Sequence, residues 1–229
     1  MKGKLIVIEG TDCSGKETQS NLLVDYLNKM GIKTKKFAFP NYNSPTGKII
    51  AGPYLGKEGY QPPLFPEGAS NVDPYCASLL YAMDRKYNIG PIEQAIKDGF
   101  NVVLDRYTDS NMAHQGSKFE GKQQEQMFYF LNKLEYELLK LPRPDIPVLL
   151  HMPTWAANIL KKNRKEKADQ HEADINHLIK SEQTYLKLAN INNTHVLECT
   201  NGDKILSIEE ISKQLCNFVE SMLKKLSNP

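Results

Sequence analysis

The sequence has few of the features that mark secreted, membrane or nucleic-acid-binding proteins. Its 229 residues include only four cysteines, spread without CxxC or Cys/His spacing, which argues against a disulfide framework and a zinc site. No apolar run approaches the roughly 20 residues of a membrane-spanning helix. Lysine and arginine total 29 against 27 aspartate and glutamate, a net charge of +2, so the chain lacks the basic field that nucleic acids select.

The first residues do not resemble a signal peptide. Lys2 and Lys4 lead directly into an apolar run at residues 5–8, with no small-residue cleavage site after it. We therefore expect a cytoplasmic protein with reduced thiols, no membrane association and no nucleic-acid partner. The composition, 40% hydrophobic and 24% charged, is typical of a globular protein, and the length favours one domain over residues 1–229 with a mobile flap.

Short apolar strands alternate with amphipathic helices along the chain. This alternation predicts an α/β fold with three layers, in which helices cover both faces of a central parallel sheet of about five strands. Ligands of such folds bind at the carboxyl ends of the strands. The predicted strands are residues 4–9, 33–39, 101–105, 147–152 and 195–197.

The helices have clear start signals. Asp73-Pro74 begins one that Gly90-Pro91 should interrupt, with a restart over residues 92–96. Ser207 begins the last one, with Glu210 at capping-box spacing. Another helix is predicted over residues 15–30, and the loop of residues 41–68 should hold a short helix. A long helix is predicted from the apolar stripe Met127, Leu131, Leu134 and Leu138. The apolar stripe of the last helix is Ile208, Ile211, Leu215, Phe218, Val219 and Met222.

A phosphate-binding pattern, G-x-x-x-x-G-K, lies between the first strand and the first helix. Its backbone N–H groups, the start of the helix and the Lys16 ammonium together suit the triphosphate of ATP. The residue after Lys16 is Glu17, where the general pattern has a Ser or Thr for Mg²⁺, and Thr18 comes one place later. The predicted ATP-binding residues are Gly10, Thr11, Asp12, Cys13, Ser14, Gly15, Lys16, Glu17 and Thr18.

Asp105-Arg106 closes the third predicted strand, where a parallel sheet presents catalytic groups. Asp105 can hold a hydrated Mg²⁺, and the planar fork of Arg106 matches two phosphate oxygens. The alternative is a mutual surface ion pair, worth about 0–1 kcal/mol.

Several segments in order along the chain resemble the signature of thymidylate kinases. They are the phosphate-binding loop with Asp12 and Thr18-Gln19, Phe39-Pro40, Tyr81 with Asp84-Arg85, Asp105-Arg106-Tyr107, Ser110-Asn111, Ala113-His114-Gln115-Gly116, and Asp169 to Glu172 with Asp174. The resemblance implies a nucleoside monophosphate kinase that phosphorylates dTMP with ATP and Mg²⁺ and that forms a homodimer.

The resemblance also implies roles for single residues. Tyr81 would stack on thymine and Arg85 would donate to its exocyclic oxygen, which disfavours cytosine. Without the resemblance, the helical pattern would favour a tyrosine in the core and an arginine in solvent. Asp12 would contact the sugar 3′-hydroxyl or the metal. Arg106 would contact the monophosphate, and Ser110, Asn111 and Gln115 would contact the base. His114 stands where the family often has a tyrosine that crowds a ribose 2′-hydroxyl. Tyr42 stands where many members have an arginine, and it would contact the monophosphate through its hydroxyl.

A basic run at residues 161–167 predicts either a solvated helix face or a lid over ATP, and we expect the lid to span residues 161–172. Because the phosphate-binding loop carries no arginine, Arg164 is the expected transition-state donor, joining Lys16 and Arg106 as catalytic residues. The expected metal ligands are Asp12, Asp105 and, by resemblance, Glu172.

Two alternatives stay open. One is a kinase of the same fold for another nucleoside monophosphate or for a deoxynucleoside. The other is a nucleotide switch, although the near match to N-K-x-D at residues 132–135 lies inside a predicted helix and ends in Glu.

Overall fold

The computed structural model describes residues 2–162 and 175–227. The strands are β1 (Leu5–Gly10), β2 (Thr34–Ala38), β3 (Asn101–Asp105), β4 (Ile146–His151), β5 (His195–Glu198), β6 (Thr200–Asn201) and β7 (Lys204–Ile205). The helices are α1 (Lys16–Lys29), α2 (Pro45–Ile49), α3 (Pro74–Lys97), α4 (Thr108–Gly116), α5 (Gly121–Asn132), α6 (Thr154–Lys162), α7 (Ile175–Ile191) and α8 (Ile208–Ser227). Two segments are π-helical, Ile50–Tyr54 and Lys133–Leu138.

The main sheet has five parallel strands in the order β2-β3-β1-β4-β5, which confirms the predicted class. Strand β1 is buried along its whole length. Ile6 and Ile8 pack in one core with α1 and α8, whereas Leu5 and Val7 pack in a second core with α3. Each face of β1 therefore has its own helical layer, and the segments after β1, β3 and β4 lie at the same edge of the sheet. A short antiparallel hairpin, β6-β7, was not predicted.

Helix α3 is continuous, so the predicted interruption at Gly90-Pro91 is wrong. Proline removes one backbone N–H from the helical ladder, but Gly90 and Pro91 both lie on the exposed side. Ile89 and Ile92, on the opposite side, are buried in the core beneath the sheet. Packing on both sides of Pro91 therefore holds the two halves in line, while water can satisfy the unpaired carbonyl.

The predicted stripe of the long helix is wrong at its end. Met127 and Leu131 are fully buried, as expected, but Leu138 is 65% exposed. The chain changes from α5 to a π-helical segment after Asn132, and the wider turn rotates the following side chains. Glu135 enters the interior instead. In α8, Ile208 is likewise exposed where the pattern placed it inward, whereas Ser207 and Glu210 form the predicted reciprocal cap.

Within residues 2–162 and 175–227, no helix combines the length and the apolar character that crossing a membrane requires.

Candidate active site

The loop of residues 10–16 joins β1 to α1 and curls tightly. Cys13 and Gly15 both have left-handed backbone conformations, with φ of 57° and 73°. A Cβ on Gly10 would lie 2.4 Å from Ser14 Oγ and 2.9 Å from the Leu150 carbonyl oxygen, so this position requires glycine. Within the described part of the chain, no side chain caps the start of α1. Its first N–H groups are therefore available to an anion.

Lys16 lies inside this loop and is buried. Its Nζ donates to the Thr11 carbonyl oxygen at 2.8 Å and lies 3.4 Å from Ser14 Oγ. Burial lowers the pKa of Lys16 to about 8, and the positive charge of Arg106 acts in the same direction. Both hydrogen-bonded oxygens are uncharged, and the carboxylates of Asp12, Asp105 and Glu9 offset only part of the effect of burial on this pKa. An anionic phosphate in contact with Nζ would stabilise the ammonium further.

Asp105 and Arg106 lie across from the loop, at the end of β3. Asp105 is 8% exposed, and its carboxylate is 4.0 Å from Lys36 Nζ, so the interpretation as a surface ion pair is wrong. Arg106 has a left-handed backbone with φ of 65°, a strained conformation that is frequent at functional sites. Burial alone would lower the pKa of Arg106, but Tyr185, Asp12 and Asp105 raise it, so the guanidinium stays charged.

Asp12 carries the opposite charge in the middle of this cationic group. Its carboxylate lies 3.5 Å from Lys161 Nζ on α6. Burial alone would raise the pKa of Asp12, but the charges of His114, Lys16, Arg106 and Lys161 lower it to about 2. Asp12 is therefore ionised at any physiological pH.

Glu9, which the sequence patterns did not reveal, holds the start of α4 in place through buried hydrogen bonds. Its carboxylate accepts from the Tyr107 and Ser110 backbone N–H groups at 2.8 and 3.1 Å and from Ser110 Oγ at 2.5 Å. Burial raises the pKa of Glu9. Because Ser110 Oγ also accepts from Tyr185 OH at 3.0 Å, its hydroxyl is engaged here, and its contact with a base stays a prediction. Glu9 ties β1 to the start of α4.

The other predicted base contacts gather between α3 and α4. Tyr81 is partly buried, with its ring centroid 5.7 Å from that of Tyr54 in an edge-to-face arrangement. Asn111 and Gln115 are 3% and 0% exposed. Among the described residues, Asn111 Oδ1 and both amide atoms of Gln115 have no hydrogen-bond partner. Unpaired buried polar atoms are costly, about 1–3 kcal/mol each, so a hydrogen-bonding partner for these atoms would be stabilising.

Arg85 is buried rather than solvated. Its side chain is 3% exposed and forms an ion pair with the Glu135 carboxylate, which is 0% exposed. The Nε–Oε2 distance is 3.0 Å, and Nη2 donates to Oε1. The alternative of a solvated surface arginine is therefore wrong, and its predicted contact with the base exocyclic oxygen must use the N–H groups that Glu135 does not take.

Tyr42 follows the cis peptide between Phe39 and Pro40 at the end of β2. Lys57 Nζ lies 5.1 Å from the centroid of its ring. The loop that contains Tyr42 is anchored to α3 by Asp84, a buried carboxylate that accepts four hydrogen bonds. They come from Asn41 N at 2.8 Å, Ser44 Oγ at 3.2 Å, Thr46 Oγ1 at 2.7 Å and Asn88 Nδ2 at 2.9 Å.

His114 Nδ1 lies 3.2 Å from Nε2 of His177 on α7, a partner that the sequence did not suggest.

Glu17 and Thr18 are exposed on the first turn of α1. Arg164 and Glu172 lie outside the described residues, as do Asp169 to His171, Asp174 and most of the predicted lid.

A family model of thymidylate kinases matches residues 8–211, a span that includes every element of this site. The chain belongs to the thymidylate kinase family. It is 36% identical over 153 residues to the thymidylate kinase of Brachyspira hyodysenteriae, a match that covers 66% of this chain and 64%, less than two thirds, of that relative.

Other thymidylate kinases match over more of their length. The identity is 30% to that of Schizosaccharomyces pombe, covering 96% of this chain and 93% of the relative. It is 32% to the probable thymidylate kinase 1 of Saccharolobus solfataricus, covering 92% and 95%. The solved structure of the Candida albicans thymidylate kinase superposes with a TM-score of 0.72 at 24% identity, covering 96% of this chain and 92% of that one. The last comparison shows a shared fold.

Proposed function

We propose that this thymidylate kinase family member transfers the terminal phosphoryl group of ATP to dTMP, giving ADP and dTDP for dTTP synthesis. The observation that carries the proposal is the set of buried amide atoms on Asn111 and Gln115 that lack a partner among the described residues, with Asn111 and Arg85 both contacting the Glu135 carboxylate. A pyrimidine can stack on Tyr81 and supply partners for the amides. The similarity to the thymidylate kinases of Brachyspira hyodysenteriae and Schizosaccharomyces pombe supports the same substrate.

The donor end is the loop around Lys16. Its backbone N–H groups and the start of α1 would hold the phosphates of ATP, and Lys16 would neutralise the transferring group. Asp12 and Asp105 suit Mg²⁺, because this ion is usually held by one or two carboxylates together with substrate phosphates and water. Bound there, the ion would supply charge neutralisation to the phosphates of ATP.

The acceptor end requires little acid–base chemistry. A phosphate monoester has a second pKa of about 6, so the dTMP phosphate is mostly dianionic at neutral pH and can attack without a general base. We propose that Arg106 grips this phosphate and that Tyr42 contacts it through its hydroxyl. Positioning and charge neutralisation then account for catalysis. Arg164 as the lid donor and Glu172 as a metal ligand stay part of the proposal.

An ADP-release assay tests the substrate directly. With ATP and Mg²⁺, we expect dTMP to give the highest kcat/KM among dTMP, dUMP, dCMP, AMP and thymidine. Arg106→Ala should abolish most turnover, because it removes the cation that grips the acceptor, whereas Arg143→Ala changes an exposed arginine and should have little effect. Best turnover with AMP or thymidine would identify one of the same-fold alternatives. Tight GTP binding without any phosphoryl transfer would instead support a nucleotide switch.

We further propose a homodimer, as the family resemblance implies. Tyr75, Leu79, Met83 and Tyr87 recur every four residues on α3, and they are 39%, 51%, 38% and 62% exposed. An apolar stripe of this kind on a surface helix marks a protein interaction face. Light scattering should give twice the 26.0 kDa chain mass, and Leu79→Glu should dissociate the dimer. Ile191→Glu, at an exposed residue of α7, is the matched control, and a monomeric wild-type protein would refute the proposal.

A cytoplasmic location also belongs to the proposal. No disulfide links Cys13, Cys76, Cys199 or Cys216 within the described residues, which suits a reducing compartment.

A further inference from the structure

The Glu135 carboxylate occupies an unusual position for an acidic side chain. It is completely buried, and it lies in the π-helical segment that follows α5. An unpaired carboxylate at such a depth would be strongly destabilising. Its oxygens instead face Arg85 on α3 and Asn111 on α4, two residues of the proposed base site.

Glu135 takes one edge of the Arg85 guanidinium, the edge formed by Nε and Nη2. Burial alone would lower the pKa of Arg85, but the Glu135 charge raises it, so the arginine stays protonated. Nη1 lies 3.4 Å from the Tyr107 carbonyl oxygen. The remaining N–H groups on Nη1 and Nη2 have no acceptor among the residues that the structure describes. Because the guanidinium is planar and held along one edge, these donors point in a fixed direction.

Glu135 also fixes the orientation of the Asn111 amide. Asn111 Nδ2 donates to the Ser78 carbonyl oxygen at 3.2 Å and lies 3.4 Å from Glu135 Oε1. A flipped amide would place Oδ1 against two acceptors, so the network selects one orientation. In that orientation Oδ1 is the buried atom that lacks a partner within the described residues. The site therefore offers an oxygen acceptor from Asn111 beside the donors of Arg85.

We propose that Glu135 is a positioning residue that sets the base preference of this enzyme by fixing Arg85 as a donor and Asn111 as an acceptor. The inference rests on the proposed function. A carbonyl oxygen next to a ring N–H, as in thymine and uracil, matches a donor beside an acceptor. Cytosine presents an amino group next to an unprotonated ring nitrogen, the reverse pattern. Glu135 itself would touch no substrate atom and would act through Arg85 and Asn111.

The test compares Glu135→Gln with the wild-type enzyme on dTMP, dUMP and dCMP, using kcat/KM and calorimetric dissociation constants. A glutamine cannot accept along the whole Arg85 edge, and its amide permits Asn111 to flip. We expect the preference for dTMP over dCMP to fall about 10–100-fold. The preference for dTMP over dUMP should stay unchanged because both bases present the same edge, and the KM for ATP should stay within about twofold. Glu137→Gln, at an exposed residue of the same π-helical segment, is the matched control.

The outcomes separate the two proposals. If the wild-type enzyme does not phosphorylate dTMP, the proposed function fails. If it does, and Glu135→Gln lowers activity equally for all three acceptors, Glu135 is only structural and the inference is overturned. Should Glu135→Gln fail to fold in a thermal melt, Glu135→Asp keeps the charge and shortens the side chain. An unchanged ratio of dTMP to dCMP in folded Glu135→Asp would overturn the inference, and a reduced ratio would support it.

Discussion

The low pKa of Lys16 leads to a direct prediction about ATP binding. With a pKa of about 8, about half of the free enzyme carries a neutral Lys16 at pH 8 and about 90% does at pH 9. Bound phosphates should return the pKa to its ordinary value of about 10.4 or above. ATP binding should therefore take up about 0.5 proton at pH 8 and about 0.9 proton at pH 9.

The same linkage weakens ATP binding as the pH rises. Relative to pH 6.5, where Lys16 is charged, the dissociation constant should rise about twofold at pH 8 and about tenfold at pH 9, or about 1.4 kcal/mol. The dissociation constant rises with pH because only the charged form of Lys16 binds phosphate well. The phosphates of ATP are already fully ionised above pH 8, so they add no proton exchange there.

Titration calorimetry in two buffers with different ionisation enthalpies measures the uptake. Lys16→Arg is the control, because a guanidinium stays charged throughout this range; its ATP binding should be independent of pH and without proton uptake. Wild-type uptake below about 0.1 proton at pH 9 would refute the assignment of a low pKa to Lys16. Equal uptake in Lys16→Arg would show that another group is responsible.

Two further predictions concern stability and can be checked by urea unfolding. Arg85→Met leaves the buried Glu135 without its partner and should cost about 3–5 kcal/mol, whereas Arg85→Met with Glu135→Leu removes both charges and should recover most of that loss; additive losses would contradict the ion pair. Gly90→Ala should stabilise by about 0.5–1 kcal/mol, because α3 is helical there and a Cβ would meet no atom within 4 Å. A destabilised Gly90→Ala would indicate strain next to Pro91.

Much of the fold could be predicted because its signals are local. Strand β1, the loop at residues 10–16 and α1 follow one another directly, and each carries its own pattern of apolar residues, glycines or caps. The cap of α8 was predictable for the same reason, since Ser207 and Glu210 are three residues apart. The continuity of α3 could not be predicted, because it depends on core contacts on both sides of Pro91.

The residues that support the site are harder to predict because their partners are distant in the chain. Glu9 accepts from Tyr107, 98 residues away, and Arg85 donates to Glu135, 50 residues away. No short pattern marks either contact. Glu135 follows the buried Met127 and Leu131 at four-residue spacing, but a carboxylate is rarely buried without a partner, and its partner Arg85 lies far away in the chain. Side chains that contact a ligand were suggested by motifs, whereas those that orient them required the structure.

A crystal structure with dTMP and a non-hydrolysable ATP analogue tests the central claim most directly. We expect the analogue's phosphates in the loop around Lys16, the pyrimidine stacked on Tyr81 with Arg85 and Asn111 at its edge, and the dTMP phosphate on Arg106. An empty or closed cleft at Tyr81 and Arg85, with the Lys16 loop occupied, would contradict it.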